Sequence, residues 1–334
     1  MRIIIPMAGM GKRMRPHTLT VPKPLIPIAG KPIVQRLVED IAKVCNQPVE
    51  QVAFVIGDFG KEVENQLLEI AKSVGAQGSI HYQDQPLGTA HAILCAKEAL
   101  QGNVVVAFAD TLFKADFTLD SSKEGIIWVQ QVEDPNPFGV VKLNEQNEII
   151  EFVEKPETFV SNLAIIGIYY VKDGNYLKNE LQYLIDNDIK DKGEYQLTNA
   201  LENMKSKGTK FVPGQVTEWL DCGNKDATVY TNQRYLEYIK DSLLVDSSAK
   251  VENAVIIPPV YLGKNVQILN AVVGPYVSVG DGSIIRGSVV KNSIVQKNTS
   301  VINANISNSM LGNFAKFEGK PSDLSLGDYN VVIT

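Results

Sequence analysis

The chain opens with residues 1–28, MRIIIPMAGMGKRMRPHTLTVPKPLIPI, and this stretch decides what kind of fold follows. The apolar run at residues 2–5 is typical of a buried parallel strand, and residues 8–13 (AGMGKR) follow as a turn that only small side chains can line closely. The prolines beyond this turn prevent a regular helix, so the segment must be an ordered loop. Arg13 and Lys23 add positive charge beside bare backbone amides. The stretch therefore favours a phosphate-binding site.

Strands and helices alternate after this loop. Residues 32–44 carry apolar side chains at helical spacing, and residues 52–56 (VAFVI) form the next apolar run. Residues 89–100 are rich in helix formers, and residues 104–109 predict a strand that ends directly on Asp110. The alternation predicts an α/β domain with a Rossmann-like, mixed but mostly parallel sheet. Ligands of such sheets gather at the carboxyl ends of the strands, which makes Asp110 a candidate site residue.

The periodicity changes from about Leu243 onward. Pairs of aliphatic or β-branched residues recur every five or six positions, with Gly and Asn between them: Ile256-Ile257, Val272-Val273, Ile284-Ile285, Val289-Val290, Ile294-Val295, Val301-Ile302 and Met310-Leu311. So short a repeat predicts a solenoid of the hexapeptide type, a parallel β-helix, in which each short strand points one aliphatic side chain inward. A small β-sandwich is the alternative. We expect two domains, residues 1–241 and residues 242–334.

Composition restricts the function further. The chain has 334 residues, 44% of them hydrophobic and 21% charged, which suits a globular enzyme with two domains. A net charge of −6 argues against general nucleic-acid binding and leaves small phosphorylated substrates. Cys45, Cys95 and Cys222 form no recognisable disulfide framework. Because the sequence has no long apolar run, we expect no membrane partner and a cytoplasmic location.

Two common phosphate motifs do not fit the opening loop. Gly9 and Gly11 lack the third glycine of the dinucleotide fingerprint, and Lys12 lacks the spacing of a P-loop lysine. Residues 9–18 (GMGKRMRPHT), with Pro22-Lys23-Pro24, instead resemble the GxGxRxxPxT…PK signature of the sugar-1-phosphate nucleotidylyltransferases. Lys12 stands where threonine is common in that family. The glycines, the arginine and the lysine of the signature are all kept.

Further segments resemble the same family in the same order. Residues 82–90 (YQDQPLGTA) are similar to the base-recognition segment of its thymidylyl and uridylyl members, and Glu154-Lys155-Pro156 is similar to its sugar-phosphate motif. Residues 219–223 (WLDCG) and residues 193–199 (GEYQLTN) also match, although Asn199 replaces the usual aspartate. The resemblance covers the chain to about Ile239. It also implies that the predicted β-helix is left-handed, as in several branches of the family.

The resemblance implies Mg²⁺-dependent transfer of a nucleotidyl group from UTP or dTTP to a hexose 1-phosphate, with glucose 1-phosphate as the first choice. A sugar-phosphate oxygen attacks the α-phosphorus and pyrophosphate leaves, so the protein must position the substrates and neutralise charge. The implied catalytic residues are Arg13, Lys23 and Asp110. The implied nucleotide-binding residues are Ala8, Gly9, Gly11, Arg13, Gln83 and Gly88.

The resemblance also implies a metal site and a sugar pocket. Asp110 and Asp221 would bind Mg²⁺, because two carboxylates together with phosphates and waters form the usual oxygen ligand set of this ion. Gln83 carries both a donor and an acceptor, which suits the imide edge of uracil or thymine. The implied sugar-phosphate-binding residues are Gly139, Glu154, Lys155 and Asn162.

Several alternatives stay open at this point. The enzyme could be a guanylyl or adenylyl relative acting on mannose or another hexose 1-phosphate, or the chain could be a non-catalytic subunit that binds a nucleotide sugar. The β-helix itself is not expected to be an acyltransferase, since no histidine follows His91 to serve as general base. The open coil ends need covering, so we expect a homo-oligomer.

Overall fold

The computed structural model describes residues 1–115 and 118–320. Its internal contacts divide the chain into two compact units. The first unit comprises Met1–Ile26 and Lys31–Ala227, and the second comprises Pro27–Gly30 with the chain from Thr228 onward. The boundary of the catalytic domain after Asp241 stays a prediction. No helix within residues 1–115 and 118–320 is long and apolar enough to cross a membrane.

Six α-helices and thirteen strands lie within residues 1–115 and 118–238. The helices are α1 (Ile33–Val44), α2 (Lys61–Ser73), α3 (Thr89–Leu94), α4 (Gly174–Asp186), α5 (Leu197–Ser206) and α6 (Lys225–Tyr238). The strands are β1 (Arg2–Pro6), β2 (Pro27–Ile28), β3 (Lys31–Pro32), β4 (Gln51–Ile56), β5 (Gln77–Tyr82), β6 (Val104–Ala107), β7 (Thr111–Lys114), β8 (Gly125–Gln131), β9 (Gly139–Leu143), β10 (Ile149–Glu154), β11 (Leu163–Val171), β12 (Phe211–Gln215) and β13 (Glu218–Asp221).

A nine-stranded mixed sheet forms the centre of the first unit. Its main path runs β10-β9-β11-β6-β1-β4-β5, and β8 pairs with both β11 and β12. Strands β6, β1, β4 and β5 are parallel to one another, whereas β11 runs antiparallel to β6. Apolar residues of β1, β4 and β6 are fully buried, as expected for strands that are covered on both faces. The Rossmann-like fold expected from the sequence is confirmed.

The predicted helix at residues 89–100 is wrong beyond Leu94. After α3, backbone bonds span three residues instead of four, for example from Ala96 N to Ile93 O and from Ala99 N to Ala96 O. This tighter turn still buries Ala96, Ala99 and Leu100 against the core. Helix propensity is high here, but tertiary packing decides the backbone conformation.

The second unit contains a parallel β-helix, as the repeats predicted, and the β-sandwich alternative is wrong. Its strands are β14 (Lys250–Glu252), β15 (Val255–Ile256), β16 (Val260–Leu262), β17 (Gln267–Leu269), β18 (Val272–Val273), β19 (Val277–Val279), β20 (Ile284–Arg286), β21 (Val289–Lys291), β22 (Ser293–Val295), β23 (Ser300–Ile302), β24 (Asn305–Ser307), β25 (Met310–Leu311) and β26 (Lys316–Glu318). Every third strand pairs in parallel, which gives three sheets: β14-β17-β20-β23-β26, β15-β18-β21-β24 and β16-β19-β22-β25.

Stacked aliphatic side chains fill the inside of these coils. Ile268 pairs with Ile285, and Ile285 pairs with Val301, so each side chain lies above its counterpart in the next coil. All three are fully buried. In the pairs Ile284-Ile285 and Val301-Ile302, one member is therefore fully buried inside the coil and its neighbour is more exposed, as the alternation of a strand requires.

Asn and Gly occupy equivalent turns of successive coils. Asn253, Asn270, Gly287 and Asn303 all adopt the left-handed backbone conformation, with φ angles of 47°, 49°, 60° and 50°. Asn253 Nδ2 also donates a hydrogen bond to Asn270 Oδ1 at 2.6 Å. Asn tolerates this region because its short amide bonds locally, and Gly has no Cβ to clash. The turn chemistry explains why these residue types fill the intervals of the repeat.

Replacing Asn270 by Ala is expected to lower the free energy of unfolding by about 1–2 kcal/mol, because Ala must hold the left-handed conformation without local support. Urea denaturation measures this change. Asn270→Gly is the matched control and is expected to cost much less, since Gly287 holds the same turn in the next coil. An equal loss in both variants would assign the effect to the lost Asn253 contact instead.

Candidate functional site

A cavity of about 440 Å³ lies at the carboxyl ends of the parallel strands of the first unit. Residues that follow β1, β5 and β6 line it, as expected for an open α/β sheet. All of the residues that the sequence assigned to nucleotide binding or catalysis lie in its lining: Ala8, Gly9, Gly11, Arg13, Lys23, Gln83, Gly88 and Asp110. Segments that are far apart in the chain therefore converge on one cavity.

The loop after β1 folds tightly around Gly11. This residue has a φ of +56°, and a Cβ there would lie 2.9 Å from Lys23 Cβ. Thr18 Oγ1 donates to Gly11 O at 2.9 Å and closes the loop. Gly9 differs, because a Cβ at this position would meet nothing within 4 Å. Gly11 is thus required by the loop itself, whereas Gly9 leaves open space next to the cavity.

Lys23 and Asp110 form an ion pair at the cavity wall. Lys23 Nζ lies 2.9 Å from Asp110 Oδ2, and the lysine is buried while the Asp110 side chain is 43% exposed. The short turn of Lys23–Leu25 follows Pro22, which fixes the backbone before the lysine. Lys23 and Asp110 both line the cavity, and the ammonium group of the buried lysine contacts the half-exposed carboxylate there. The ammonium group is therefore positioned to contact an anionic ligand.

Asp110 and Asp221 are brought together by a two-stranded antiparallel ribbon. Strand β7 pairs with β13, so that Thr111 is opposite Asp221. Cys222 N donates to the backbone oxygen of Asp110 at 2.9 Å, which joins the two acidic segments directly. Both aspartates were predicted from the sequence, whereas this ribbon was not.

The electrostatics around Asp221 fit a cation. Burial raises the pKa of Asp221, and the nearby charge of Asp110 raises it further, whereas Lys23 and Arg13 act in the opposite direction. Gly223 N donates to Asp221 Oδ1 at 2.9 Å, and a Cβ at Gly223 would lie only 3.3 Å from the Arg13 guanidinium. Two neighbouring carboxylates that repel each other suit a divalent ion.

The described residues contain no group of three or more His, Cys, Asp or Glu side chains that could hold a metal ion. Two carboxylates leave most of the coordination shell of a divalent ion to other oxygen donors. Asp110 and Asp221 would suit a divalent ion whose other ligands are phosphate oxygens and water, and their assignment as metal ligands stays a prediction.

Gln83 and Gly88 lie together at another side of the cavity. Gln83 Nε2 donates to Gly88 O at 3.2 Å and lies 3.1 Å from His91 Nδ1. Gly88 has a φ of +117°, and a Cβ there would lie 2.5 Å from Tyr195 O. The segment that contains Tyr195 therefore explains why residue 88 is glycine.

Hydrogen bonds join residues 82–90 to the start of α5. Ala90 N donates to Tyr195 O at 2.9 Å, and Thr89 Oγ1 donates to Gln196 Oε1 at 3.1 Å. Leu197 N in turn donates to Thr89 Oγ1 at 2.9 Å. Residues 82–90 and residues 193–199, which both resemble segments of the family, are thus held together by hydrogen bonds.

Glu154 lies in a second cluster with Gly139 and Thr198. Gly139 and Glu154 are opposite each other in the β9–β10 pair, and a Cβ at Gly139 would lie 3.1 Å from Glu154 Oε2. Thr198 Oγ1 donates to the same oxygen at 3.3 Å. Burial raises the pKa of Glu154, with Lys155 opposing the shift. Glycine at position 139 leaves the space that the carboxylate occupies.

The charges of Glu154 and Asp110 both act on Tyr169. Its side chain is buried, and burial raises the pKa of its hydroxyl, with further contributions from the charges of Glu154 and Asp110. The hydroxyl therefore remains protonated and can donate a hydrogen bond. From the sequence alone, this tyrosine is distinguished only by its place in an apolar strand.

Lys155 and Asn162 are placed less deeply. Lys155 has a φ of +43°, which is unusual for a lysine, and its Nζ lies 3.7 Å from Glu154 Oε1. Its half-exposed side chain leaves the ammonium group accessible to a ligand. Asn162 precedes β11, where its backbone oxygen accepts from Val132 N at 3.0 Å. Both sugar-binding assignments stay predictions.

Several lining residues were not identified from the sequence. They come from segments whose motifs were recognised, but their own side chains gave no signal: Met7, Lys12, Pro86, Thr89, Ala92, Phe108, Ala109, Glu194 and Gly223. His91, which contacts Gln83 from α3, is another residue that the sequence did not identify as part of the site. Its spacing of eight residues from Gln83 indicates nothing unless the turn between them is known.

Several curated proteins are similar to this chain. One is the "Bifunctional protein GlmU" of Methanococcus maripaludis, 32% identical over 260 residues that cover 76% of this chain and 58% of that protein. Another is the "Glucose-1-phosphate thymidylyltransferase" of Streptomyces antibioticus, 28% identical over 306 residues that cover 84% of this chain and 83% of that protein. The chain spans about three fifths of the length of the GlmU relatives that it matches.

Solved structures and a family comparison agree with the curated relatives. UDP-glucose pyrophosphorylase complexed with UDP-glucose has a TM-score of 0.58 at 25% identity, covering 71% of this chain and 98% of that chain. The apo form of a UDP-glucose pyrophosphorylase has a TM-score of 0.57 at 26% identity, with the same coverage. Residues 2–238 match the family described as Nucleotidyl transferase. Because this match covers most of the chain, the protein belongs to the Nucleotidyl transferase family.

Proposed function

We propose that the protein transfers a nucleotidyl group from UTP or dTTP to a hexose 1-phosphate, with glucose 1-phosphate as the first candidate. The products are a nucleoside diphosphate sugar and pyrophosphate. The observation that carries the proposal is the convergence of Gly11, Arg13, Lys23, Gln83 and Asp110 on one cavity. The names of the relatives, a glucose-1-phosphate thymidylyltransferase and a UDP-glucose pyrophosphorylase, support the same substrates.

The transfer needs no nucleophile from the protein. An oxygen of the sugar 1-phosphate attacks the α-phosphorus of the triphosphate, a new phosphorus–oxygen bond forms, and the bond to the bridging oxygen breaks as pyrophosphate leaves. Arg13 would hold the triphosphate oxygens and stabilise the charge that develops on pyrophosphate. Lys23 would hold the reacting phosphates from its buried position. Catalysis then consists of alignment and charge neutralisation.

A divalent metal ion, for which we propose Mg²⁺, completes this site. Asp110 and Asp221 are the residues that would hold it. When bound, the ion would neutralise phosphate charge and polarise the phosphoryl group. Lys23 would remain next to Asp110.

Glu154 and Lys155 would bind the sugar phosphate. Glu154 can accept hydrogen bonds from sugar hydroxyls, and the exposed ammonium group of Lys155 can meet the phosphate. Thr198 and Gly139 position the Glu154 carboxylate. Asn162 is included in the proposed pocket on the strength of the sequence resemblance.

Glu154→Gln is expected to weaken binding of the sugar phosphate without lowering the stability of the protein. Burial raises the pKa of Glu154 in the folded protein above the ordinary value of 4.5, which applies to the unfolded chain. At pH values between the unfolded and the folded pKa, the folded protein therefore binds more protons than the unfolded chain. Its free energy of unfolding therefore falls as pH rises through this window, and the Gln variant lacks that contribution. At pH 7 the variant is expected to be at least as stable as the parent, with a KM for the sugar phosphate raised about tenfold or more.

Urea denaturation between pH 4 and pH 8 and initial-rate kinetics would measure these two effects. Glu157→Gln is the control, because Glu157 is an exposed acid close in sequence and outside the cluster. An unchanged KM for every accepted sugar phosphate would contradict the assignment of Glu154.

A matrix of nucleoside triphosphates and sugar 1-phosphates, read as pyrophosphate release with Mg²⁺, tests the proposed function. The nucleotides are ATP, CTP, GTP, UTP and dTTP, and the sugars include the 1-phosphates of glucose, mannose and N-acetylglucosamine. Release with UTP or dTTP and glucose 1-phosphate is the expected result. Turnover only with GTP or ATP would favour a guanylyl or adenylyl enzyme. No turnover in any combination would favour a non-catalytic subunit.

We propose in addition a cytoplasmic homo-oligomer that assembles partly through the β-helix. Large apolar side chains of this unit are exposed, among them Val255, Val289, Phe314 and Phe317. Such side chains along a coil suit contact with another copy. Light scattering coupled to size exclusion measures the mass, and a monomer at working concentrations would contradict the proposal.

A further inference from the structure

The amide of Gln83 has a defined orientation. Its terminal atom near Gly88 O must be the nitrogen, because a carbonyl oxygen can only accept a hydrogen bond. The same nitrogen lies 3.1 Å from His91 Nδ1. Both hydrogens of the amide group are therefore used within the protein. No described residue donates to Gln83 Oε1, and Gln83 lines the cavity.

His91 must accept the hydrogen bond from Gln83. An Nδ1 that carried a proton would place two donors against each other at 3.1 Å. The contact therefore requires the neutral imidazole with its proton on Nε2. Burial lowers the pKa of His91, which is consistent with a neutral ring near pH 7.

We propose that His91 is a positioning residue for base selection: with the Gly88 carbonyl, its unprotonated Nδ1 holds the Gln83 amide nitrogen and leaves Oε1 as the acceptor offered to the nucleotide. The inference rests on the proposed function of the cavity. It differs from the expectation drawn from the sequence, in which both the donor and the acceptor of Gln83 were available to the base. In the structure, the donor is engaged by the protein.

An isolated acceptor distinguishes between nucleobases. Uracil, thymine and guanine carry a hydrogen on the ring nitrogen of their pairing edge, whereas cytosine and adenine present a lone pair there. Gln83 Oε1 would accept from the first group and repel the second. The selection therefore acts against CTP and ATP, and it needs no contact between His91 and the base.

The test compares the ratio of kcat/KM for UTP to kcat/KM for CTP in three variants of the full chain. His91→Leu removes the acceptor and is expected to lower the ratio about tenfold, since one of the two bonds that orient the amide is lost. His91→Asn can place an oxygen at the same distance from Cβ as Nδ1 and is expected to keep the ratio within about threefold. Gln83→Leu removes the acceptor itself and is expected to lower the ratio further.

The outcomes separate the inference from the proposed function. An unchanged ratio in His91→Leu, with a lowered ratio in Gln83→Leu, would overturn the role of His91 and leave the proposed function intact. No turnover of the parent with any triphosphate would overturn the proposed function. The ¹⁵N chemical shifts of the His91 ring in the parent protein then test the inference without activity: a proton on Nδ1 at neutral pH would overturn it, and a proton only on Nε2 supports it.

Discussion

Replacing Lys23 by methionine is expected to lower kcat/KM by about 10²- to 10³-fold, the range seen when one charge-stabilising donor is removed from an active site. Methionine keeps most of the apolar stem that packs in the buried position, so the loss reports on the charge. The partner of Lys23, Asp110, has a side chain that is 43% exposed and stays hydrated when the lysine is removed. We therefore expect a change of only a few degrees in Tm.

Initial rates of pyrophosphate release and a thermal melt would measure both parts of this prediction. Lys31→Met is the matched control, because Lys31 Nζ forms an ion pair of similar length with Glu39, 2.8 Å, outside the cavity. Its activity is expected to stay within about twofold of the parent, as for an exposed surface pair. Near-normal turnover in the Lys23 variant would contradict the proposed phosphate contact.

Local chemistry in the sequence was sufficient to predict the ordered loop after β1. Gly11 has a left-handed backbone conformation and lies close to Lys23, and glycine is the residue type that satisfies both requirements. The prolines around Lys23 exclude a helix, and the structure has only short turns there, Lys12–Met14 and Lys23–Leu25. These constraints act over a few residues. For this reason, the pattern of residue types was enough to predict an ordered cationic loop.

The pairing of Asp110 with Asp221 could not be derived in this way. The ribbon of β7 and β13 joins segments that are more than a hundred residues apart in the sequence. The residue pattern of either strand does not indicate which strand it pairs with. Only the family resemblance placed the two acids in one site. The same limit applies to His91 and Gln83, whose contact depends on the turn around Gly88 and on Tyr195 behind it.

The β-helix, in contrast, could be predicted from the sequence. Its repeat is short and its pairing is between neighbouring coils, so each coil repeats the same contacts. The inward aliphatic residues and the left-handed Asn turns recur at regular intervals, and this periodicity can be recognised in the sequence. The bounds of α3 were wrong for a different reason, because buried packing at Ala96 and Leu100 overrides helix propensity.

Asp221→Asn is expected to remove the response of the protein to Mg²⁺. Burial and the charge of Asp110 raise the pKa of Asp221, so two ionised carboxylates are held together at a cost that a divalent ion offsets. In the parent, Mg²⁺ is therefore expected to raise Tm, because an ion that binds the folded state stabilises it. In the variant, the repulsion between the two carboxylates is lost, and so is the Asp221 carboxylate that would bind the ion. Its Tm without metal is then expected to equal or exceed that of the parent, with little change on adding Mg²⁺.

Turnover gives the second measurement on the same variant. Loss of a carboxylate ligand is expected to lower kcat by about 10³-fold, since a catalytic metal ion supplies several kcal/mol of charge stabilisation and each 1.4 kcal/mol corresponds to about tenfold. Asp110→Asn is expected to behave alike, whereas Asp226→Asn, which changes an exposed acid of α6, is the control and should keep both properties. If the Asp221 variant lost turnover but kept the full Mg²⁺-dependent rise in Tm, the carboxylate would contribute to the reaction without holding the ion.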